Sequence, residues 1–278
     1  MDQPKVVSVI VTYNPELDRL RHVISSINKD VNTIVIVDNA STNKGEIKLI
    51  SATNNVTCIF NNENYGIARA LNIGIEFAKK RYKPDWILLL DQDSIPQDGY
   101  STILLNYLSY SNYELDNVCV LRGVASYILE KKSGIEDSTL YPFKTNILSG
   151  NLVRAGVFNT IRFREDFFMD FVDTDFFRNI ARKDLLCLFS PAVTLEHQLG
   201  KRIHFLGKEI NYEGIERMRE MIRNSTILFF EAPKDFRVLI AGYTAYVTNV
   251  IKEGFIIATR YLLSGFVSAF AFVLNREK

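Results

Sequence analysis

The sequence predicts an α/β fold with a mostly parallel sheet and a helical extension at its C-terminus. Three observations point there. Short β-branched apolar runs alternate with helical patterns through the first half, and the first four runs each stop at a polar cluster. From Val238 onward the chain is strongly apolar at helical lengths. Strands alternating with helices imply βαβ units with right-handed crossovers.

The first run, Val6 to Val11, suits a buried parallel strand. It stops at Thr12-Tyr13-Asn14-Pro15, where Pro15 can open a helix, and Leu17, Leu20, Ile24 and Ile27 recur at helical spacing. Strands follow at Thr33 to Val37, ending at Asp38-Asn39, and at Val56 to Phe60, ending at Asn61-Asn62. Tyr65 to Lys80 is helical, with Ile67, Leu71, Ile75 and Ala78 on one face. A fourth strand, Trp86 to Leu90, ends at Asp91-Gln92-Asp93.

Beyond Pro96 the alternation loosens. Asn117 to Ile128 reads as a strand turning at Glu130 to Gly134, and Asn146 to Val153 as a strand broken by Gly150. Asp173 to Arg182 and Tyr212 to Phe230 read as helices. The apolar segments Val238 to Ile251 and Phe255 to Leu274 form the extension; the second carries Arg260, Ser264 and Ser268 as a narrow polar stripe. Arg260 and Gly265 interrupt it, so it falls short of a clean membrane span. It reads as an interfacial helix, or as a hairpin packed on the domain or on a second subunit of a homo-oligomer.

The 278 residues are long for one core and short for two full domains. The expected division is one domain over residues 1–230 and the extension over 231–278. Hydrophobic residues are 47% of the chain, enough for a sizeable core. The net charge of +1 gives no global pull toward nucleic acid, which is not an expected partner. Cys58, Cys119 and Cys187 lie far apart in apolar runs and read as buried reduced thiols, as in a cytoplasmic protein. No secretory leader pattern opens the chain: Asp2 and Pro4 precede a short apolar run.

Ligands of open parallel sheets bind beyond the carboxyl ends of the strands, where these polar clusters lie. Asp91 and Asp93 emerge from a buried strand into a loop, and two hard oxygen donors suit Mg²⁺ or Mn²⁺. A cation there can bridge a diphosphate. Gly66 permits close backbone approach, the helix it opens offers unpaired N–H groups, and Arg69 one turn on can reach a phosphate. An ordinary surface helix is the alternative for that stretch. Asp170, Asp173 and Asp175 stand among phenylalanines, whose desolvation makes a carboxylate a better base. One of them is expected to cap the following helix. His197, after the strand-like run Ala192 to Leu195, can add a neutral imidazole to a metal site, with Lys201 and Arg202 close behind. Arg217 and the pair Arg223-Asn224 read as a solvated or interface face of their helix.

Val9-Ile10-Val11-Thr12-Tyr13-Asn14, Val37-Asp38-Asn39, Asn64-Tyr65-Gly66-Ile67-Ala68, Asp91-Gln92-Asp93-Ser94, Ser149-Gly150, Phe168 to Asp175 and Glu196-His197-Gln198-Leu199-Gly200 occur in that order. As a set they resemble glycosyltransferase family 2, the inverting group of GT-A fold, and within it the rhamnosyltransferases of polysaccharide assembly. The resemblance implies that Thr12, Tyr13 and Asn14 line a nucleotide pocket and that Asp38 bonds the pyrimidine base. Asn64 and Gly66 would shape the ribose and diphosphate floor. Asp93 would be the direct metal ligand, Asp91 would lie nearer the sugar, and His197 would assist the metal. Asp173 would be the catalytic base, with Asp170 second. The resemblance further implies a dTDP- or UDP-sugar donor, dTDP-L-rhamnose first, and a glycan or lipid-linked acceptor at the cytoplasmic face of the cell membrane, with peripheral membrane contact. Two rivals remain open. A sugar nucleotidyltransferase would show a Gly-rich loop where this chain has Thr12 to Pro15, and a silent sugar-nucleotide-binding scaffold subunit would not need Asp91, Asp93 and Asp173.

Overall fold

The computed structural model describes residues 3–52, 55–126, 139–197, 202–205, 208–212, 214–232 and 236–276. The chain divides into two compact units, one of residues 1–165 and 176–198, the other of residues 166–175 and 199–278.

The first unit holds a nine-stranded mixed sheet among the described residues. Strands β1 (Val6–Thr12), β2 (Thr33–Asp38), β3 (Val56–Phe60) and β4 (Trp86–Asp91) run parallel in the order β3-β2-β1-β4. Each of β1, β2 and β4 reaches one residue further than the apolar pattern, so Thr12, Asp38 and Asp91 are the last residues of their strands. Beyond β4 the sheet continues through β8 (Asn151–Arg154), β6 (Val118–Ala125) and β9 (Leu186–Glu196), with β5 (Ile95–Pro96) and β7 (Tyr141–Phe143) pairing on β9. β8 is antiparallel to both β4 and β6, a reversal the sequence pattern did not reveal. The turn expected at Glu130 to Gly134 lies outside the described residues.

Helices α1 (Leu17–Ile27), α2 (Lys44–Ile50), α3 (Gly66–Tyr82) and α4 (Tyr100–Ser109) belong to this unit. α1 buries Leu20, Val23, Ile24 and Ile27, close to the predicted face. It opens two residues after Pro15, because Glu16 caps it by accepting from the Asp18 and Arg19 amides. α4 was not anticipated. Its N-terminus is capped from a distance by Asp30, which accepts from the Ser101 and Thr102 amides at 2.6 and 3.0 Å. Helix α5 (Val172–Ala181) follows the acidic segment. Cys119 and Cys187 are buried thiols, whereas Cys58 on β3 is only half-buried.

Gly150 precedes β8 with φ of 84°, a left-handed conformation glycine adopts without strain. It replaces the strand expected from Asn146 and turns the chain antiparallel. Tyr100 holds this turn: its hydroxyl donates to the Gly150 carbonyl at 2.7 Å and accepts the Gly123 amide at 2.6 Å. Burial pushes its phenol up to about 12.

The second unit contains α6 (Ile215–Glu231), α7 (Arg237–Glu253), α8 (Phe255–Arg276) and the short hairpin β10 (Arg202–Phe205) with β11 (Lys208–Asn211). Met218 and Ile222 of α6 share a small core with Ala245 of α7. The extension expected from residue 231 is thus joined by a helix that precedes it.

Tyr100→Phe would leave the Gly150 carbonyl and the Gly123 amide without their shared partner, at about 1–3 kcal/mol for each buried group. Urea unfolding should show a loss of roughly 2–4 kcal/mol with the fold retained.

Candidate active site

The site is built on the carboxyl ends of β1, β2 and β4. Thr12 and Asp38 are register partners, and the Thr12 hydroxyl donates to the Asp38 carboxylate at 2.9 Å. The Ser41 hydroxyl and amide also donate to Asp38, at 2.5 and 3.0 Å. Thr12 and Asp38 are both fully buried, so Asp38 organises the loop from within, and a direct contact with a nucleotide base requires the Ser41 turn to move. Asn14 sits at φ 45° and stitches the same loops: its amide donates to Ser41, and its side-chain oxygen accepts from the Thr42 amide and hydroxyl. Tyr13 is 49% exposed beside this network.

Asn39 is a second hub. Its side-chain NH₂ donates to Asn64 at 2.8 Å and to the Gly66 carbonyl at 3.1 Å. Its oxygen accepts from the Asn61 side chain and from the Tyr65 amide. Asn64 in turn accepts the Gly66 amide, which fixes the start of α3 with Gly66 at φ 78°. Arg69 is exposed, its guanidinium 3.9 Å over the Tyr65 ring.

Asp91, Asp93 and His197 each present one ligand atom, all within 4.8 Å of one another, and all three are half-buried. Strand pairing explains the meeting: β5 follows the acidic loop at once, and Ile95 lies opposite Glu196, the residue before His197. The Ser94 hydroxyl lies 2.8 Å from His197 Nδ1 and Asp93 Oδ1 lies 3.8 Å from it. Burial pulls the His197 pKa down; Asp93 opposes this and the charges of Arg19 and Arg122 add to it. A neutral imidazole results, the form that binds metals. Two carboxylates with one imidazole fit a divalent cation such as Mn²⁺ or Mg²⁺. Of the basic loop expected to follow, Gln198 to Lys201 lie outside the described residues, and Arg202 is the first residue of β10.

The acidic segment lies in the second unit. Asp170 and Phe171 both adopt positive φ, 53° and 62°. Arg217 grips the Asp170 carboxylate at 2.9–3.1 Å through Nε and NH2. The buried Asn224 donates to the Met169 and Asp170 carbonyls, and Arg223 donates to the Asp166 carbonyl. Arg217 and Arg223-Asn224 therefore hold the acidic turn, the interface rather than the solvated alternative of their reading. Asp173 stands in the first turn of α5 and accepts from the amide and hydroxyl of Thr174. Burial pushes its carboxyl above the ordinary range; the Thr174 amide opposes this and the Asp170 charge reinforces it.

A sequence model described as Glycosyl transferase family 2 matches residues 8–184, which include Asp38, Asp91, Asp93, Asp170 and Asp173. The chain belongs to glycosyltransferase family 2. It is a nucleotide-sugar glycosyltransferase. A dTDP-rhamnosyl transferase, RfbF of Shigella flexneri, is 27% identical over 269 residues, 92% of this chain and 89% of that protein. A crystal structure of GalNAc-T7 with UDP, GalNAc and Mn²⁺ shares its fold, with a TM-score of 0.58 at 14% identity over 81% of this chain. This chain spans 48% of that one, about half its length.

Two residues around this glycosyltransferase site, Arg19 and Arg122, were not singled out from sequence, and Gln92 and Ser149 entered only as members of motifs. Arg19 on α1 donates to the Asp93 carbonyl at 2.7 Å and to the Glu196 carboxylate at 2.5 Å, tying the acidic loop to the end of β9. Gln92 accepts the Tyr13 amide at 2.8 Å, joining that loop to β1. Ser149 accepts the Asp91 amide, and the buried Arg122 anchors the turn before it through the Ile147 carbonyl. Arg19 and Arg122 sit in otherwise ordinary helix and strand patterns, so no local signal marks them.

A raised Asp173 pKa binds its proton more tightly in the folded chain than in the unfolded one. Stability is then lost as pH rises from the ordinary carboxylate value to the folded one, and ionised Asp173 opposes folding at neutral pH. Asp173→Asn should therefore unfold at the same or higher denaturant concentration than the wild type at neutral pH; a lower midpoint would contradict the burial argument.

Proposed function

We propose that the protein transfers a sugar, L-rhamnose from dTDP-rhamnose in the first instance, to a glycan or lipid-linked glycan acceptor with inversion at the anomeric carbon. The observation that carries the reading is the convergence of Asp91, Asp93 and His197 at the end of a family 2 sheet. The dTDP-rhamnosyl transferase relative supports the donor, and the neighbour's title, with UDP and Mn²⁺, supports a metal-assisted diphosphate site. A lipid-linked acceptor would place the reaction at the cytoplasmic face of the cell membrane.

In this reading Tyr13, Asn14, Asn64, Gly66 and Arg69 receive the nucleotide, while Thr12 and Asp38 fix the loop beneath it. Asp93, Asp91 and His197 would hold Mg²⁺ or Mn²⁺, which when bound supplies positive charge to the diphosphate. Asp173 removes the acceptor hydroxyl proton. The acceptor oxygen bonds to the anomeric carbon as the bond to the diphosphate oxygen breaks, and the nucleoside diphosphate leaves. Asp173 is favoured over Asp170 because Arg217 already occupies the Asp170 carboxylate. Desolvation of Asp173 raises its basicity, which suits proton removal near neutral pH.

Calorimetry with dTDP, UDP and GDP, each with and without Mn²⁺, should give metal-dependent binding of one diphosphate, dTDP first. Asp93→Ala should weaken that binding roughly tenfold or more. Metal-independent affinity in that variant would remove Asp93 from the metal site, and no binding of any diphosphate would favour a silent scaffold subunit.

Asp173→Asn should lower transfer roughly 10²–10⁴-fold while leaving donor affinity near the wild-type value. The acid limb of kcat/KM should lie above the ordinary aspartate pKa, since the folded carboxyl is shifted upward. Loss of donor binding in Asp173→Asn, or an acid limb at the ordinary value, would count against the assignment.

A further inference from the structure

The two C-terminal helices carry a large apolar face on their outside. On α8 the buried residues are Ala258, Gly265 and Ala269, all small. Ile256, Leu263, Val267, Phe270 and Leu274 are between 48% and 82% exposed. Their spacing places them on one helical face. On α7, Val238, Gly242, Ala245, Thr248 and Asn249 are buried while Ile240, Tyr243 and Val247 face outward. The small residues are needed where they are. A Cβ on Gly242 would lie 2.9 Å from Ile222 Cδ1, and one on Gly265 would lie 2.8 Å from the Arg219 carbonyl oxygen, so both helices close tightly on α6.

Water drives large apolar side chains inward on a surface helix, and Tyr246, Tyr261, Leu262 and Phe266 obey by packing on the small core, but the outer stripe does not. Small residues inward and large ones outward is how helices pack when the outside medium is itself apolar. We propose that the outer face of the α7–α8 hairpin docks on an anionic lipid surface, with the helices lying in the plane of the interface.

Two features select lipid over a second copy of the chain. Phe255, Ile256 and Ile257, in the first turn of α8, are 65%, 82% and 49% exposed. Consecutive helical residues point about 100° apart. A flat protein face covers one or two of them, whereas acyl chains surround all three. The second feature is charge. From residue 236 to 276 the basic residues are Arg237, Lys252, Arg260 and Arg276, against the single acidic Glu253. Arg276 is paired with Glu231, while Lys252 and Arg260 are exposed. That balance suits phosphate headgroups.

Arg260 is compatible with a helix lying in the interface. By length and composition α8 is able to cross a bilayer: it has 22 residues, and only 17% of its most apolar window is buried. Arg260 stands in the outward apolar stripe, sixth of the 22 residues and so near the N-terminal end of that stretch. A helix in the interface lets the guanidinium reach the headgroups along its own stem.

Docking on lipid requires neither donor nor acceptor, so its failure would leave the proposed transfer reaction standing. The test is flotation of the full chain with vesicles of phosphatidylcholine, alone or mixed with phosphatidylglycerol, alongside sedimentation equilibrium without lipid. The full chain should float with the mixed vesicles and bind them less as salt rises. Ile256→Glu combined with Leu263→Glu should cut the bound fraction roughly tenfold or more, with an unchanged thermal midpoint because both positions are exposed. Arg260→Glu should weaken binding to the anionic vesicles alone. The proposal is overturned if the chain ignores both vesicle types, or if it forms dimers that Ile256→Glu dissociates and that vesicles do not compete for.

Discussion

Ile95 lies opposite Glu196, and Pro96 opposite Leu195, in a pairing only two residues long. The meeting of Asp91, Asp93 and His197 depends on it. Asp93 and His197 are far apart in sequence, and β5 is the element that carries the acidic loop across to the end of β9. Arg19 locks the junction, with one guanidinium edge on the Asp93 carbonyl and another on Glu196. Glu196 also offsets the positive charge that Arg19 would otherwise place beside the trio. The geometry of the trio is thus set by a strand pairing and an ion pair, neither of which contributes a ligand.

The same economy runs along the strand ends. Thr12, Asp38, Ser41, Asn39, Asn61 and Asn64 satisfy one another across three loops, and most are buried. Such a network costs little to maintain because its buried side chains, Thr12, Asp38, Asn39 and Ser41, all have partners, and it fixes the loop backbone in place. Exposure then separates contact from support. Tyr13 and Arg69 face solvent, whereas Thr12 and Asp38 are the floor on which the loop rests.

Much of this was legible in the sequence. β1 to β4 were readable because buried parallel strands leave unbroken β-branched runs, and the polar residues closing them mark the ligand edge of the sheet. Asp91 and Asp93 were readable as a pair because they leave such a strand together. What escaped had no local period. α4 is capped by Asp30, seventy-one residues away in the chain. β8 runs antiparallel because Gly150 and the buried Tyr100 turn it, and neither residue announces that from its neighbours. Arg19 looked like any polar residue of an amphipathic helix. Arg217 and Asn224 looked like surface, since their partners are a carboxylate and two carbonyls of a distant turn.

That turn places two adjacent side-chain-bearing residues, Asp170 and Phe171, in a backbone region that costs each about 1–2 kcal/mol. Strain of this size persists only where the surroundings over-determine it, and here the surroundings are Arg217 and Asn224 on α6. The order of assembly follows. Left alone, the segment relaxes to ordinary φ values and Asp173 loses its setting. The setting of the Asp173 carboxylate is therefore completed by the docking of a helix that comes later in the chain, and a nascent chain released before α6 would carry the strand-end loops without that setting.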